Sequence, residues 1–364
     1  MKLQILNEGG CSFYAEVCGA PIGPGRRVGG VFYNPAMRHS RDVSVLLMRA
    51  INTQEWRMLD GMAASGVRGI RIALEAPEAE VVINDSNPAA CAAIEKNIAL
   101  NHVENAKMSC SDVRHLLHGA KYHYVDIDPF GTPVHLIPHA LQGVADGGIL
   151  ALTATDTAVL CGPYRKTCAR RYHARTLDRE CMHEVGIRIL AGYVVRMAAS
   201  YDLAAQPILC YAKGHFVRCH FRVLRGAGRA EHLLHSIAYA DFHGGERWFS
   251  SSPESKEHAG PLWSAALFDP ELVGQMGRTL DPHTAILVKD LDLWAVEDAA
   301  PPLHYDINIL ARELRASPPK LCTMLDLLRL QGYTAQRTYL SPTGFRTNAP
   351  YGALKEAFSE SSSH

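Results

Sequence analysis

The sequence predicts an α/β protein: a doubly wound, mostly parallel sheet with an antiparallel edge hairpin, followed by a smaller α+β, winged-helix-like C-terminal domain. Three observations carry that expectation. From Trp56 onward, short β-forming runs alternate with helical stretches, as in a parallel sheet with helices on its faces. Two long runs, "QPILCYAK" and "HFVRCHFRVL", meet at Lys213-Gly214 and read as a hairpin. Beyond His304 come two helical stretches and a short β-like wing.

The elements follow in order. "WRMLDGMAAS" is a short strand running into a loop of small residues, and "VRGIRIALEA" is the helix after it. "EVVINDSN" is the second strand; Asn87 and Pro88 then suit the cap and first turn of a helix, "PAACAAIEKNIALN". "AKMSCSD" and "YHYVDID" are the third and fourth strands, and "GGILALTATD" is the fifth. "CMHEVGIRILAGYVVRMAASYD" is a long amphipathic helix before the hairpin. "FHGGERWFSSSPESKEHAGPLW", rich in Gly, Ser and Pro, reads as a long surface excursion. The expected division is residues 1–227, 228–352 and a disordered tail, 353–364, ending in "FSESSSH".

Bulk composition is that of an ordinary globular protein, with 47% hydrophobic and 20% charged residues in 364. Lys plus Arg equals Asp plus Glu at 37 each, which argues mildly against a histone-like binder and says little about a local basic groove. The 10 cysteines contain no Cys-x-x-Cys pair and no disulfide-scaffold spacing. Cys91, Cys110 and Cys210 sit in apolar runs, where a thiol acts as a small hydrophobe, and a reducing cytoplasm is the expected compartment. No stretch reads as a membrane span or a secretory leader.

Three acidic residues, Asp60, Asp85 and Asp112, each stand where a predicted strand ends. Ligands of parallel sheets collect outside those ends. Asp85 occupies the position from which a carboxylate reaches ribose hydroxyls, and Asp112, with the Val113 backbone beside it, suits an adenine amino group. Together they describe an adenosine site. "GMAASGVRG" lacks the Gly-x-Gly-x-x-Gly cradle of a dinucleotide pyrophosphate, so S-adenosyl-methionine suits the site better than a nicotinamide nucleotide.

"YVDIDPFG" ends the fourth strand at Asp128, because Pro129 cannot extend a ladder. The acid–Pro–aromatic order resembles that of amino-group methyltransferases. There the carboxylate and a backbone carbonyl accept N–H bonds from an amine while the ring covers its base. A nucleobase amine is a weak nucleophile, so positioning is the main help a protein can give. Asp128 as a simple turn former is the competing reading.

Four stretches, "VFYNPAMRHSRDVSV", "LDGMAASGVRGIRIALE", "INDSNPAACAAIEKNI" and "YVDIDPFGTPVHLI", resemble the tRNA guanine-26 N2-dimethyltransferases of archaea and eukaryotes. Weaker echoes are "YRKTCARRY", "GPLW" and "SPTGFRTNAP". The resemblance implies a Rossmann-like class I methyltransferase sheet that uses S-adenosyl-methionine. It implies that Phe32 stacks on the guanine opposite Phe130, and that Asp128 and the Pro129 carbonyl face N2. Arg41 would bind the donor's methionine carboxylate, assisted by Arg68 or Arg71, three apart on one helix face. Asp60 would stand at the donor site, Asp85 on the ribose, and Asp112 and Val113 on the adenine. Phe32 as plain core, and Arg38 with Arg41 as a solvated turn, are the alternatives.

Many relatives of that family carry cysteine pairs at zinc-ligand spacing after the catalytic domain. Here no cysteine lies between Cys219 and Cys322, so no metal is expected and packing must hold the excursion. The most basic stretch contains Arg165, Lys166, Arg170, Arg171 and Arg175, a phosphate-tracking face for tRNA or a solvated helix. Lys320, Arg337 and Arg346 add a second grip on the RNA. The expected partner is tRNA, with no membrane and no obligate protein partner. A non-catalytic RNA-binding protein with a relic fold, or a methyltransferase of another base or small amine, are the remaining alternatives.

Overall fold

The computed structural model describes residues 3–17, 31–51 and 53–362. An N-terminal hairpin, β1 (Gln4–Glu8) and β2 (Cys11–Val17), turns at Gly9-Gly10, and β3 (Phe32–Tyr33) adds to it in parallel. Gly9 has φ +57°, and a Cβ there would lie 2.4 Å from Nε of Arg71, so glycine alone fits. Asn34 accepts from the Ala36 amide at 3.0 Å, capping a 3₁₀ turn (Pro35–Met37) that leads into α1 (Arg38–Ala50).

The alternating region folds as β4 (Arg57–Asp60), α2 (Val67–Glu75), β5 (Glu80–Asp85), α3 (Pro88–Leu100), β6 (Ala106–Cys110), α4 (Val113–Gly119), β7 (Tyr122–Ile127), α5 (Ile137–Gly143) and β8 (Val144–Ala154). Short α6 (Thr157–Leu160) and α7 (Arg165–Tyr172) precede the long α8 (Met182–Ala199) and the hairpin β9 (Leu203–Lys213) and β10 (Phe216–Arg225). The seven strands lie in the order β6-β5-β4-β7-β8-β10-β9. The first five are parallel, whereas β10 runs antiparallel between β8 and β9. Strand order reverses between β4 and β7, and a crevice opens at such a switch point. Val81, Val82, Ile83, Val125, Leu150 and Leu152 fill the sheet and are buried on both faces, as parallel strands require.

After α9 (Ala227–Leu234) the structure departs from expectation. The Gly/Ser/Pro-rich stretch is no loose excursion but an antiparallel sheet of β11 (Ile237–His243), β12 (Glu246–Ser250) and β13 (Glu257–Trp263). Gly244-Gly245, both at positive φ, makes the hairpin turn. Phe242, Leu262 and Trp263 are buried within the large core, so packing holds this region. Among the described residues no group of three or more His, Cys, Asp or Glu is arranged to hold a metal.

Helices α10 (Pro270–Arg278) and α11 (Val288–Glu297) also join the large core, which runs on to Leu303. The boundary expected after residue 227 therefore does not divide the hydrophobic interior. A separate, smaller core gathers Tyr305 to Phe358. It is built from β14 (Tyr305–Asp306), α12 (Ile307–Leu314), α13 (Leu321–Leu330), β15 (Ala335–Arg337), β16 (Gly344–Thr347) and α14 (Tyr351–Ser362), with sheet order β14-β16-β15. Two helices and a wing are as expected, but the disordered tail is corrected: residues 351–362 are helical. Leu354, Ala357 and Phe358, spaced for one helix face, bury themselves in the small core. Ser363 and His364 of that tail lie outside the described residues.

Two further corrections concern single residues. Cys91 on α3 and Cys110 at the end of β6 form a disulfide, although each was expected to be a small apolar thiol. Arg346, expected to grip RNA, is wholly buried and pairs with Glu184 at 2.8 Å and Glu297 at 3.1 Å. Among the described residues no helix is long and apolar enough to cross a membrane.

Glu8 fastens the N-terminal hairpin to the sheet. Its carboxylate receives Arg41 at 2.7 and 2.5 Å, Arg71 at 2.9 Å and the Tyr33 hydroxyl at 2.8 Å. Burial alone would raise its pKa, but the Arg41 guanidinium and then the Tyr33 and Arg71 contacts bring it down to about 2. A depressed carboxylate stabilises the fold above its unfolded pKa and loses that contribution as pH falls through the folded value. Glu8→Gln should therefore lower the unfolding free energy at pH 7 by about 3–5 kcal/mol, since two buried guanidinium groups lose a charge partner. It should also remove roughly 3 kcal/mol of the wild-type loss between pH 4.5 and 2. Urea denaturation at pH 7, pH 4.5 and pH 2 measures both.

Candidate active site

A cleft opens over the carboxyl ends of β4, β5 and β7. Its floor is Asp60 and the loop Met62–Ser65; Asp85, Ser86 and Asn87 form one wall, and Asp128, Pro129 and Phe130 the other. Phe32, Tyr33, Arg41, Arg68, Thr155 and His215 are among the other lining residues. Each carboxylate arrives at the end of its strand, where the pleat stops and the chain turns away.

Local hydrogen bonds hold these turns. Asp85 accepts from the amides of Ala64 at 2.9 Å and Asn87 at 2.8 Å, tying the small-residue loop to the start of α3. Gly131 donates to Thr155 Oγ1 at 2.7 Å and accepts from the Thr155 amide at 2.8 Å, so the Asp-Pro-Phe-Gly turn is anchored to the end of β8. Thr132 also meets the Tyr172 hydroxyl at 2.9 Å, and Tyr172 donates to Asp156 at 2.7 Å.

Beneath the cleft lies a buried charge network. Asp126 of β7 takes both arms of Arg218 from β10, at 2.9 and 2.5 Å, and the Tyr124 hydroxyl at 2.7 Å. Arg68 of α2 spans the network and the cleft: Nε lies 3.5 Å from Asp126, Nη1 donates to Ser44 at 2.8 Å, and Nη2 reaches Asp128 at 2.6 Å. Burial would raise the pKa of Asp126, but Arg218 and Arg68 hold it well below the usual range. Asp60, buried beside that charge, takes the opposite course. Desolvation first, and Asp126 second, push it up to about 7 against Arg68 and the Gly69 amide.

The expected site residues divide cleanly. Phe32, Arg41, Asp60, Arg68, Asp85, Asp128, Pro129 and Phe130 share one cleft. Arg71 does not reach it: wholly buried, it pairs with Glu8, with Asp42 at 2.5 Å and with Glu75 at 2.9 Å. Asp112 and Val113 are not among the lining residues either. Asp112 caps α4 through the Arg114 amide at 2.9 Å and pairs with the Arg114 side chain, while Val113 is packed in the core. Arg41 lines the cleft while its Nε and Nη2 are held by Glu8, with the Tyr33 ring 4.9 Å away.

The rings of Phe32 and Phe130 meet edge to face, 5.1 Å between centroids. A base sandwiched between two rings needs them roughly 7 Å apart, two van der Waals contacts. The two rings therefore stand closer than a base between them would allow, and Phe130, 53% exposed, is the more open of the pair. On α7, Arg165, Lys166 and Arg170 are exposed, and no ion pair engages them among the described residues. Arg171 pairs with Asp156 at 3.0 Å, and Arg175 is committed to the Lys256 carbonyl at 3.1 Å. Sequence reasoning missed His215. The signal was its place at the tip of the edge hairpin, whose strands were recognised.

This strand order, with its acid–Pro–aromatic turn at the switch point, defines a Rossmann-like methyltransferase. A model of the N2,N2-dimethylguanosine tRNA methyltransferase family matches residues 26–359, and the chain belongs to that family. It is 37% identical over 350 residues to the tRNA (guanine(26)-N(2))-dimethyltransferase of Thermococcus kodakarensis, covering 90% of this chain and 92% of that one. The Pyrobaculum neutrophilum protein of the same name is 36% identical over 98% of this chain and 99% of its own. Trm1 from Pyrococcus horikoshii, solved in complex with S-adenosyl-L-methionine, superposes with a TM-score of 0.87 at 32% identity, covering 98% of this chain and 99% of that one.

Asp60 gives the site a pH signature. The folded chain holds a proton that the unfolded chain, with an ordinary Asp pKa near 3.9, releases. Its contribution is thus complete below about pH 4 and is lost as pH rises through the folded value. Asp60→Asn should abolish that loss: between pH 5 and 8, wild-type stability should fall by on the order of 2–4 kcal/mol relative to the variant in urea denaturation.

Proposed function

We propose that the protein transfers methyl groups from S-adenosyl-L-methionine to the exocyclic N2 of guanine 26 in tRNA, forming N2,N2-dimethylguanosine. The observation that carries this reading is the shared cleft: an Asp-Pro-Phe turn at the switch point, sharing its lining with Asp60 and Asp85, in a chain matched to the family nearly end to end. The cleft suits the donor because its ends differ in charge. Arg68 reaches Asp128 and Arg41 lines the same cleft, cations for a carboxylate, while Asp85 at the end of β5 suits ribose hydroxyls. Backbone approach is open along Ala63 and Ala64, where small side chains leave room.

When bound, the donor supplies an electrophilic methyl on a sulfonium, so no metal is called for. The protein's own residues do the positioning. Asp128 and the Pro129 carbonyl accept the N2 hydrogens and aim the nitrogen lone pair. Phe130 swings from Phe32 to admit the guanine, and the two rings then cover its faces. Arg68 neutralises Asp128 from behind and fixes its rotamer. Arg165, Lys166 and Arg170 on α7 meet phosphates, and the Tyr172–Thr132 contact links that helix to the catalytic turn. Lys320 and Arg337, exposed on the small domain, offer a second contact to tRNA. Such work belongs in the cytoplasm, with tRNA maturation.

A relic RNA-binding protein would have no use for this intact cleft. Nucleoside mass spectrometry of tRNA incubated with the protein and labelled donor tests the reading directly; absence of N2-methylated guanosine would refute it.

Two variants test the roles. Asp85→Ala should weaken donor binding tenfold or more in calorimetry, since charged hydrogen bonds are worth roughly 1.5–3 kcal/mol each. Asp128→Ala should slow methyl transfer by roughly 10²–10⁴-fold while tRNA binding changes little, because phosphate contacts dominate affinity. Asp128→Asn keeps one accepting oxygen. If orientation is the role of Asp128, Asn should retain more activity than Ala; equal inactivity would instead point to proton removal.

A further inference from the structure

We propose that His215 accepts the proton that the guanine amine loses during methyl transfer, a role that rests on the reading of Asp128 given above. In each transfer the N2 lone pair forms the new nitrogen–carbon bond, and the carbon–sulfur pair leaves with sulfur. The nitrogen, now cationic, keeps the electron pair of one N–H bond while its proton departs. Two methylations release two protons, one per transfer, and a base at the cleft has to take each in turn.

The lining offers few candidates. Arg41 and Arg68 are cations without a vacant pair. The Tyr33 hydroxyl donates to Glu8 at 2.8 Å and is pushed up to about 12 by burial. Asp60 lies buried on the floor, accepting from the Gly69 amide at 3.0 Å. Both oxygens of Asp85 hold backbone amides on the far wall. Asp128 is tied to Arg68 at 2.6 Å, an arrangement for holding a donor in place.

His215 differs from all of these. It lines the same cleft as Asp128 and Phe130 yet stands half-buried at the tip of the β9–β10 hairpin, in contact with solvent. Its position is fixed on both sides. Lys213 reaches Asp290 of α11 at 3.1 Å, and Asp290 in turn meets His39 of α1 at 2.6 Å. On the other side the imidazole packs edge to face on Phe216, 5.9 Å between centroids, and Phe216 is buried. The charged and titratable groups around it are Asp128 with its Arg68 partner across the cleft, and the Lys213–Asp290–His39 cluster behind the hairpin. Burial lowers its pKa while the charge of Asp128 acts the other way. The ring is thus neutral near pH 7, able to receive a proton directly or through one water and to release it at the mouth.

The test is single-turnover methyl transfer from labelled S-adenosyl-methionine to a tRNA transcript between pH 5 and 9. Wild type should slow on the acid side, as pH falls below the ordinary histidine range through the lowered pKa of the imidazole and the ring becomes protonated. His215→Gln should lower the pH 8 rate by roughly 10–10²-fold, lose the acid limb, and leave donor and tRNA dissociation constants within about twofold. His215→Ala should regain rate with added imidazole. A wild-type rate in both variants, or a reduced rate with the acid limb retained and no imidazole rescue, overturns the proposal. If wild type forms no N2-methylguanosine at all, the reading of the site itself fails, an outcome separate from a silent His215.

Discussion

The bond between Asp126 and Arg218 is the constraint on which the rest of the site depends. Both side chains are fully buried, one from a parallel strand and one from the antiparallel edge hairpin. A lone buried charge costs several kcal/mol, so each tolerates burial only through the other and through Tyr124, Thr153 and Ser44. The bidentate ion pair reaches across β8 and ties β10 to β7, with Thr153, the register partner of Arg218 on β8, bonded between them. Arg68 then borrows the same anion. Because it reaches Asp126 with one face and Asp128 with its tip, the orientation of the Asp-Pro-Phe-Gly turn is inherited from the interior of the sheet.

The same network explains why two neighbouring carboxylates behave differently. Asp126 has two guanidinium partners and stays ionised, whereas Asp60 has a backbone amide and an anion beside it. Two charges so close in a poor dielectric cannot both persist, and the less well-paired one keeps its proton. The cleft is thereby less negative than Asp60 on its floor and Asp85 and Asp128 on its walls suggest, which suits a cationic donor without trapping it.

What was legible in the sequence was whatever local chemistry sets. Asp60, Asp85 and Asp128 fall at strand ends because small residues, Asn-Pro or Pro stop the ladder there, and those signals are adjacent to the residue they place. The Gly-Gly hairpin of residues 244–245 was equally local, yet the surrounding serines and prolines masked it. The terminal helix was hidden in the same way, its Leu354–Ala357–Phe358 spacing overshadowed by a serine-rich end. Long-range partners were another matter. Arg68 and Arg71 look equivalent on one helix face, but Glu8, 63 residues away from Arg71, captures the second and leaves the first to the cleft. Nothing near Cys91 announces Cys110, since a helix start and the end of a neighbouring strand meet only once the sheet has formed. Arg346 in its Gly-Phe-Arg-Thr run looks like any exposed cation until Glu184 and Glu297 close around it.

That last burial has a mechanical outcome. Glu184 comes from the long helix behind the sheet, Glu297 from α11, and Arg346 from the wing, while the backbone amides of Leu303 and His304 also donate to Glu184. Swinging the small domain would strand at least one charge in a dry interior, so the joint behaves as a weld and not as a hinge. The exposed α7 cations and the exposed Lys320 and Arg337 of the small domain are thus carried on one stiff body, at a fixed separation.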